Sequence, residues 1–164
     1  MWKNKHVLAA LIITPILSVM AYFAVDSFVA ETPHKAKAGD QVKLVEKPNC
    51  RYSSGKCGLK NGEFELVLSA QTEDNNNVTL TLTSRHSLEG VIIAHATHPD
   101  ESAKPVNMRP LSKDGTQWQL TIDNPNIETD RLQVAASANS AVYYGDASLT
   151  FIEYETAFND DFRD

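Results

Sequence analysis

The sequence lacks the short motifs that most directly indicate a chemical activity. No serine lies in a Gly-x-Ser-x-Gly elbow, and no His-Glu-x-x-His pair of metal ligands is present in the 164 residues. The acidic loop residues lack the regular spacing and the glycine of a calcium-binding loop. We therefore expect that the protein is not an enzyme, and we assign no catalytic residue.

Basic residues are in the minority. The chain has 15 Lys and Arg against 21 Asp and Glu, which gives a formal net charge of −6 at pH 7. An acidic surface repels both phosphate backbones and anionic lipid headgroups, so nucleic acid is not an expected partner. The sequence also lacks internal repeats and long low-complexity segments. The length and composition therefore predict one domain of ordinary size.

What the chain does have is one long apolar run. Residues 7–25, VLAALIITPILSVMAYFAV, contain no charge, and as a helix they match a hydrocarbon core of about 30 Å. Lys3 and Lys5 precede the run, whereas Asp26 and Glu31 follow it. A cationic flank stays in the cytoplasm. The pattern predicts a single-pass anchor, residues 1–30, in a bacterial inner membrane, with the N-terminus cytoplasmic and the rest periplasmic.

A cleaved signal peptide is the alternative for this segment. Its apolar core would be residues 7–18, and Val19-Met20-Ala21 is an acceptable small-residue cleavage site. The apolar run continues to Val25, and this continuation favours a retained anchor. Either interpretation exports the remaining chain, which we divide into a linker (31–40), a β-sandwich domain (41–155) and an acidic tail (156–164).

The chain has two cysteines, and both lie in the exported part. Cys50 and Cys57 flank six residues rich in turn formers. In an oxidising compartment this arrangement predicts a disulfide that closes a small loop. A redox pair or thiolate metal ligands are the alternatives, but the spacing is not Cys-x-x-Cys and metal binding would need reduced cysteines with further ligands.

Several segments alternate between apolar and polar residues. The alternation is clearest in Glu63–Ser69, Val78–Ser84 and Arg131–Ala138, and it is typical of half-buried strands. The remaining predicted strands are Gln41–Val45, Val91–Thr97, Val106–Leu111, Thr116–Ile122, Val142–Tyr144 and Ala147–Tyr154.

Turn signals separate these strands. Asn61-Gly62 and Asp114-Gly115 predict tight turns, and Gly145-Asp146 predicts a bend or bulge between two strands. Short strands separated by turn signals, with no convincing soluble helix, predict an all-β fold. We expect an immunoglobulin-like antiparallel β-sandwich, with Trp118 in its core, preceded by one N-terminal transmembrane helix.

Three residues form a candidate metal site. His95 and His98 lie around the end of one predicted strand, and Met108 lies on the next. Imidazole and thioether groups are a plausible ligand set for copper, although no cofactor is required by the sequence. The alternative is that His95 is a hydrogen-bonded histidine, His98 starts a loop and Met108 fills the core.

The chain also resembles a known family. The resemblance rests on the start MWKNKH before the apolar run, on IIAHATHPDESAKPVNMRPL followed by TQWQLTID, and on RLQVAASANSAVYYGDASLTF. These stretches are similar to those of FixH and YtkA-like membrane-anchored proteins, which carry an exported immunoglobulin-like domain. The loop of Cys50 and Cys57 is not a feature of that family.

The resemblance implies an accessory function. Members are linked to the assembly of cbb3-type cytochrome oxidase and to its copper supply. We therefore expect an accessory factor that meets a membrane-protein complex. A periplasmic copper-binding chaperone and an envelope interaction module without metal are the two alternatives.

Overall fold

The computed structural model describes residues 4–29, 36–98 and 103–155. The chain divides into two units, Met1–His34 and Lys35–Asp164. In the first unit, helix α1 spans Lys5–Val29 and contains Pro15. The stretch Lys5–Val25 is long and apolar enough to cross a membrane. The Thr14 hydroxyl donates to the Ala10 carbonyl at 2.7 Å, which satisfies a polar side chain within the helix itself.

The second unit consists of two sheets. The five-stranded sheet has the order β1-β11-β10-β6-β7, and the six-stranded sheet has the order β2-β3-β4-β5-β9-β8. All neighbouring strands are antiparallel except β1 and β11. The strands are β1 Gln41–Lys43, β2 Val45–Glu46, β3 Lys56–Asn61, β4 Phe64–Thr72, β5 Val78–Ser84, β6 Gly90–Ala96, β7 Pro105–Asn107, β8 Arg109–Pro110, β9 Gln117–Ile122, β10 Arg131–Ala138 and β11 Ala141–Ser148.

One apolar core lies between the sheets. Alternate residues of every long strand enter it, as the period-2 pattern predicts. The core residues from the longest strands include Leu66, Leu68, Leu80, Leu82, Val91, Ile93, Leu132 and Val134. The predicted β-sandwich preceded by one N-terminal helix is therefore confirmed. Trp118 is buried as predicted, and its Nε1 donates to the Gly115 carbonyl at 2.9 Å.

Two predicted strands are divided between the sheets. Gln41–Val45 becomes β1 and β2, which belong to different sheets, and Leu44 between them is buried. Val106–Leu111 likewise becomes β7 and β8, with Met108 buried between them. In both places one apolar side chain enters the core where the backbone crosses from one sheet to the other. Alternation along the sequence does not reveal this crossing.

Two further predictions are corrected near the glycines. Gly145-Asp146 is neither a bend nor a bulge, because β11 runs unbroken through both residues and pairs one to one with β10. Asn61 pairs with Phe64, so the tight turn is Gly62–Glu63, and only Gly62, at φ 57°, adopts a positive φ there. Strand β3 was not predicted, because its lysines, glycine and asparagine have low strand propensity.

The two ends of the sandwich differ. At the linker end, the chain enters through a turn in which Gly39 N donates to Ser140 O at 2.8 Å. At the disulfide end lie Cys50 and Cys57, the end of β6 and the start of β10. Residues 36–40 of the predicted linker thus belong to the sandwich. Its residues 31–35 and the predicted acidic tail, 156–164, lie outside the described residues.

Gly145 permits the crossing segment at Leu44 to lie close against β11. A Cβ atom there would lie 2.9 Å from Leu44 O and 3.1 Å from Leu44 Cβ. We expect Gly145→Ala to lower the free energy of unfolding by about 1–3 kcal/mol, because the crossing at Leu44 must move. Gly90→Ala is the matched control, since its Cβ would meet only Ser137 Oγ, at 3.7 Å. Equal urea midpoints for both variants would contradict this explanation.

Candidate functional site

His95 is paired with a buried carboxylate at the disulfide end. Its Nε2 lies 2.7 Å from Asp130 Oδ2, and the two side chains are 22% and 5% exposed. Asn126 N donates to the same carboxylate oxygen at 2.9 Å, and Thr129 Oγ1 donates to the other at 3.1 Å. Asp130 therefore fixes the loop before β10 onto the end of β6. This matches the expectation that His95 is hydrogen-bonded.

The environment of Asp130 favours its charged form. Burial alone would raise its pKa, but hydrogen bonds from Asn126 N, His95 and Thr129 outweigh burial and lower the pKa. A carboxylate whose pKa is lower in the folded state stabilises the fold above its unfolded pKa of about 3.9. That stabilisation is lost as the pH falls through the folded pKa.

Asp130→Ala is therefore expected to cost about 1–3 kcal/mol of folding free energy at pH 7, because Asn126 N and His95 lose their acceptor. The difference from wild type is expected to shrink as the pH falls below about 4. Urea denaturation at several pH values measures both effects. Asp130→Asn retains one oxygen acceptor and serves as the milder control. A difference that grows toward acid would contradict this account.

The three residues of the predicted copper site do not converge. His98 is exposed in the bend after β6, whereas Met108 is buried where the chain changes sheets. Met108 N donates to Val91 O at 2.9 Å. Val91 and His95 are four residues apart on one strand, a distance of roughly 13 Å. Copper binding at these residues stays a prediction that the register does not favour.

The predicted disulfide is confirmed. Cys50 and Cys57 are joined, and both are fully buried. The bridge links the 3₁₀ turn Pro48–Arg51 to β3, and Gly58 N donates to Asn49 Oδ1 at 3.1 Å inside the same loop. By the loop-entropy model, closing so short a loop contributes about 2.5 kcal/mol. No free cysteine occurs among the described residues, so thiolate ligands have no support there.

Glu46 secures the disulfide loop to the five-stranded sheet. Its carboxylate accepts from Arg51 Nε at 2.8 Å and from Ser148 N at 2.9 Å, and Arg131 lies 3.9 Å away. Burial would raise the pKa of Glu46, but the hydrogen bonds and the positive charge of Arg131 lower it overall. This network spans both sheets and serves to hold the loop in place.

Within residues 4–29, 36–98 and 103–155, no three His, Cys, Asp or Glu side chains are grouped to hold a metal.

The least expected feature is the outer surface of the five-stranded sheet. The register places Tyr144, Ala135 and Ile92 side by side on neighbouring strands. We call the outward side chains of this sheet the apolar face. Its members are Gln41, Lys43, Val142, Tyr144, Asp146, Ser148, Arg131, Gln133, Ala135, Ser137, Gly90, Ile92, Ala94, Ala96, Pro105 and Asn107.

Large apolar side chains are exposed on the apolar face. Ile92, Val142 and Tyr144 are 41%, 40% and 41% exposed. They flank the small residues Ala135 and Ser137 on the central strand β10. Five strands and three rows of side chains cover roughly 480 Å² by ordinary strand spacing. This area includes polar positions such as Gln133, Ser137 and Asp146. Exposed apolar side chains that are grouped on one surface of a soluble domain commonly mark contact sites.

The outer surface of the six-stranded sheet is the opposite in character. One register row contains Lys56, Ser69, Thr81, Gln119 and Arg109. Threonine and glutamine fill most of the neighbouring rows, with the outward positions Gln71, Thr79, Thr83, Gln117 and Thr121. This surface is suited to hydration. The difference between the two outer surfaces identifies the apolar face as the candidate functional surface.

Sequence patterns could have suggested only parts of this surface. Val142 and Tyr144 alternate with core residues, and Ala135 lies in a strand of small residues. The face becomes visible only when the register aligns β6, β10 and β11, which are distant in sequence. No protein-family model matches the chain, and no curated protein or solved structure shows significant similarity to it.

Proposed function

We propose that this protein is a membrane-anchored, exported accessory domain that acts by protein contact and not by catalysis. The observation that carries the proposal is the apolar face, where Ile92, Val142 and Tyr144 are exposed on two strands of one sheet. Helix α1 supports membrane attachment, because Lys5–Val25 has the length and composition of a span. The cationic N-terminal flank supports a cytoplasmic N-terminus and a periplasmic sandwich in a bacterial inner membrane.

Attachment to a membrane suits a contact surface of modest size. Confinement to the plane of a bilayer raises the effective concentration of neighbouring proteins, so weak contacts become sufficient. The sequence resemblance adds a partner class to the proposal, a respiratory membrane complex of the cytochrome oxidase type. In this proposal the sandwich contributes recognition, while any chemistry belongs to the complex it meets.

Site-specific photo-crosslinking in native membranes tests the proposal. A photo-reactive residue at Ile92, on the apolar face, is expected to yield discrete crosslinked products. The same residue at Thr83, an exposed position on the outer surface of the six-stranded sheet, is the matched control and is expected to yield at least tenfold less. Equal yields from both positions would overturn the assignment of the contact surface.

A further inference from the structure

We propose that the disulfide loop, residues 47–56, binds an acidic polypeptide segment of a partner protein. This inference rests on the proposed function, because it adds a second contact of the same accessory domain and states the chemistry of the partner there. The loop lies at the disulfide end of the sandwich, and none of its residues belongs to the apolar face.

The disulfide loop is positively charged within an acidic chain. It contains Lys47, Arg51 and Lys56 but no Asp or Glu, whereas the whole chain carries a net charge of −6. All three cationic residues are exposed. An acidic ligand is therefore attracted to this loop and repelled by much of the remaining surface, so complementary charge directs it to one place.

Arg51 remains available to a ligand although it is already paired. Its Nε donates to Glu46 Oε1 at 2.8 Å, yet the Glu46 side chain is only 9% exposed and the Arg51 side chain is 68% exposed. The bond uses one of the five N–H donors of a guanidinium and orients the group. The other donors suit bidentate pairing with a carboxylate of the ligand.

Tyr52 supplies an aromatic anchor beside this cation. It directly follows the 3₁₀ turn Pro48–Arg51 and is 67% exposed. Tyrosine and arginine are enriched among the residues that dominate the binding energy of protein interfaces. An exposed aromatic ring next to a guanidinium therefore suits a polypeptide ligand, which offers both carboxylates and side chains that pack on the ring.

The disulfide loop is fixed before any ligand arrives. The bridge between Cys50 and Cys57 closes it covalently. Within the loop, Ser54 Oγ lies 2.7 Å from both Asn49 O and Lys56 O, which ties its two halves together. A loop that is already ordered loses little conformational entropy on binding, so even a small contact yields useful affinity.

The surroundings of the disulfide loop favour a protein segment over an anionic bilayer. The β4–β5 turn and the β9–β10 loop lie at the same end and expose Glu73, Asp74, Asp123 and Glu128. A flat anionic surface would approach these carboxylates together with the loop, and like charges would oppose it. A narrow polypeptide segment contacts the disulfide loop alone.

Photo-crosslinking from Tyr52 tests the inference with the full chain in native membranes. A photo-reactive residue at Tyr52 is expected to yield a discrete product with another protein. An excess of a soluble polyglutamate peptide is expected to lower that yield at least fivefold, whereas a polyglutamine peptide of equal length leaves it unchanged. The same photo-reactive residue at Asn75, exposed in the β4–β5 turn, is the position control and is expected to yield at least tenfold less.

Charge reversal separates an electrostatic contact from chance proximity. Lys56→Glu, combined with the photo-reactive residue at Tyr52, is expected to lower the yield at least fivefold. Lys113→Glu is the matched control, because it makes the same change of charge at an exposed position before β9, at the opposite end of the sandwich. It is expected to leave the yield within twofold of the original. Urea midpoints of the purified variants establish that each remains folded.

Three results would overturn the inference. A product that joins Tyr52 to lipid would replace the protein partner with the bilayer. A yield that responds neither to polyglutamate nor to Lys56→Glu would rule out an acidic ligand. Absence of a product from Tyr52, when Ile92 does yield one, would overturn this inference and leave the proposed function intact, whereas absence from both positions would overturn both proposals.

Discussion

Replacing residues 1–34 with a cleavable signal peptide is expected to move the protein completely from the membrane fraction to the soluble periplasmic fraction. Residues 7–25 contain ten Leu, Ile, Val and Phe residues. At about −0.3 to −0.6 kcal/mol each, these contribute roughly 3–6 kcal/mol to insertion, or on the order of 10² to 10⁴ in partitioning. The sandwich core lies wholly in Lys35–Asp164, so the released domain is expected to remain folded.

The same experiment distinguishes an anchor from a cleaved signal. Native protein is expected to resist extraction by alkaline carbonate and to retain its N-terminal residues by mass spectrometry. A native protein that is soluble and begins near residue 22 would show instead that the apolar run is a signal peptide. The sandwich and its apolar face would remain, but confinement to the membrane would no longer support weak contacts.

Phe151→Ala is expected to lower the free energy of unfolding by about 3–5 kcal/mol. Phe151 is fully buried in the 3₁₀ turn Thr150–Ile152, which packs against β3, β4 and the turn Pro48–Arg51. Its removal leaves a cavity beneath the disulfide end, where the covalent bridge limits how far the surroundings can collapse. A loss of this size is a large fraction of the 5–15 kcal/mol that stabilises a typical domain.

Tyr52→Ala provides the control at the same end of the sandwich. Tyr52 is 67% exposed, and its truncation is expected to change stability by no more than about 0.5 kcal/mol. Urea denaturation should show a lower midpoint for Phe151→Ala with an unchanged slope. A loss below 1 kcal/mol for Phe151→Ala would mean that the disulfide end is held by the bridge and the Glu46 network alone.

The fold could be predicted from the sequence wherever alternation lasted for several residues. In Phe64–Thr72, Val78–Ser84 and Arg131–Ala138 the apolar positions enter the core as expected. The prediction failed at the short edge strands and at the segments where the chain crosses between the two sheets. At Leu44 and Met108 the chain crosses from one sheet to the other. These crossings depend on packing against distant strands, so local strand propensity does not predict them.

The candidate site was less predictable than the fold. The disulfide followed from two cysteines close in sequence. The partner of His95, however, is 35 residues away at Asp130, and their pairing depends on the register between β6 and β10. The apolar face depends on the same register, because its residues come from strands that the sequence separates. Composition alone therefore could not reveal which surface is exposed and apolar.

Accessibility of the apolar face in the membrane tests the central claim most directly. Ala135→Cys and Thr81→Cys would each be labelled with a membrane-impermeant maleimide, first in native envelopes and then as purified protein diluted in detergent. Ala135→Cys is expected to react at least tenfold more slowly in envelopes than after dilution, whereas Thr81→Cys is expected to react equally in both. Equal labelling of Ala135→Cys in both states would show that nothing covers the apolar face, and would contradict a function in protein contact through it.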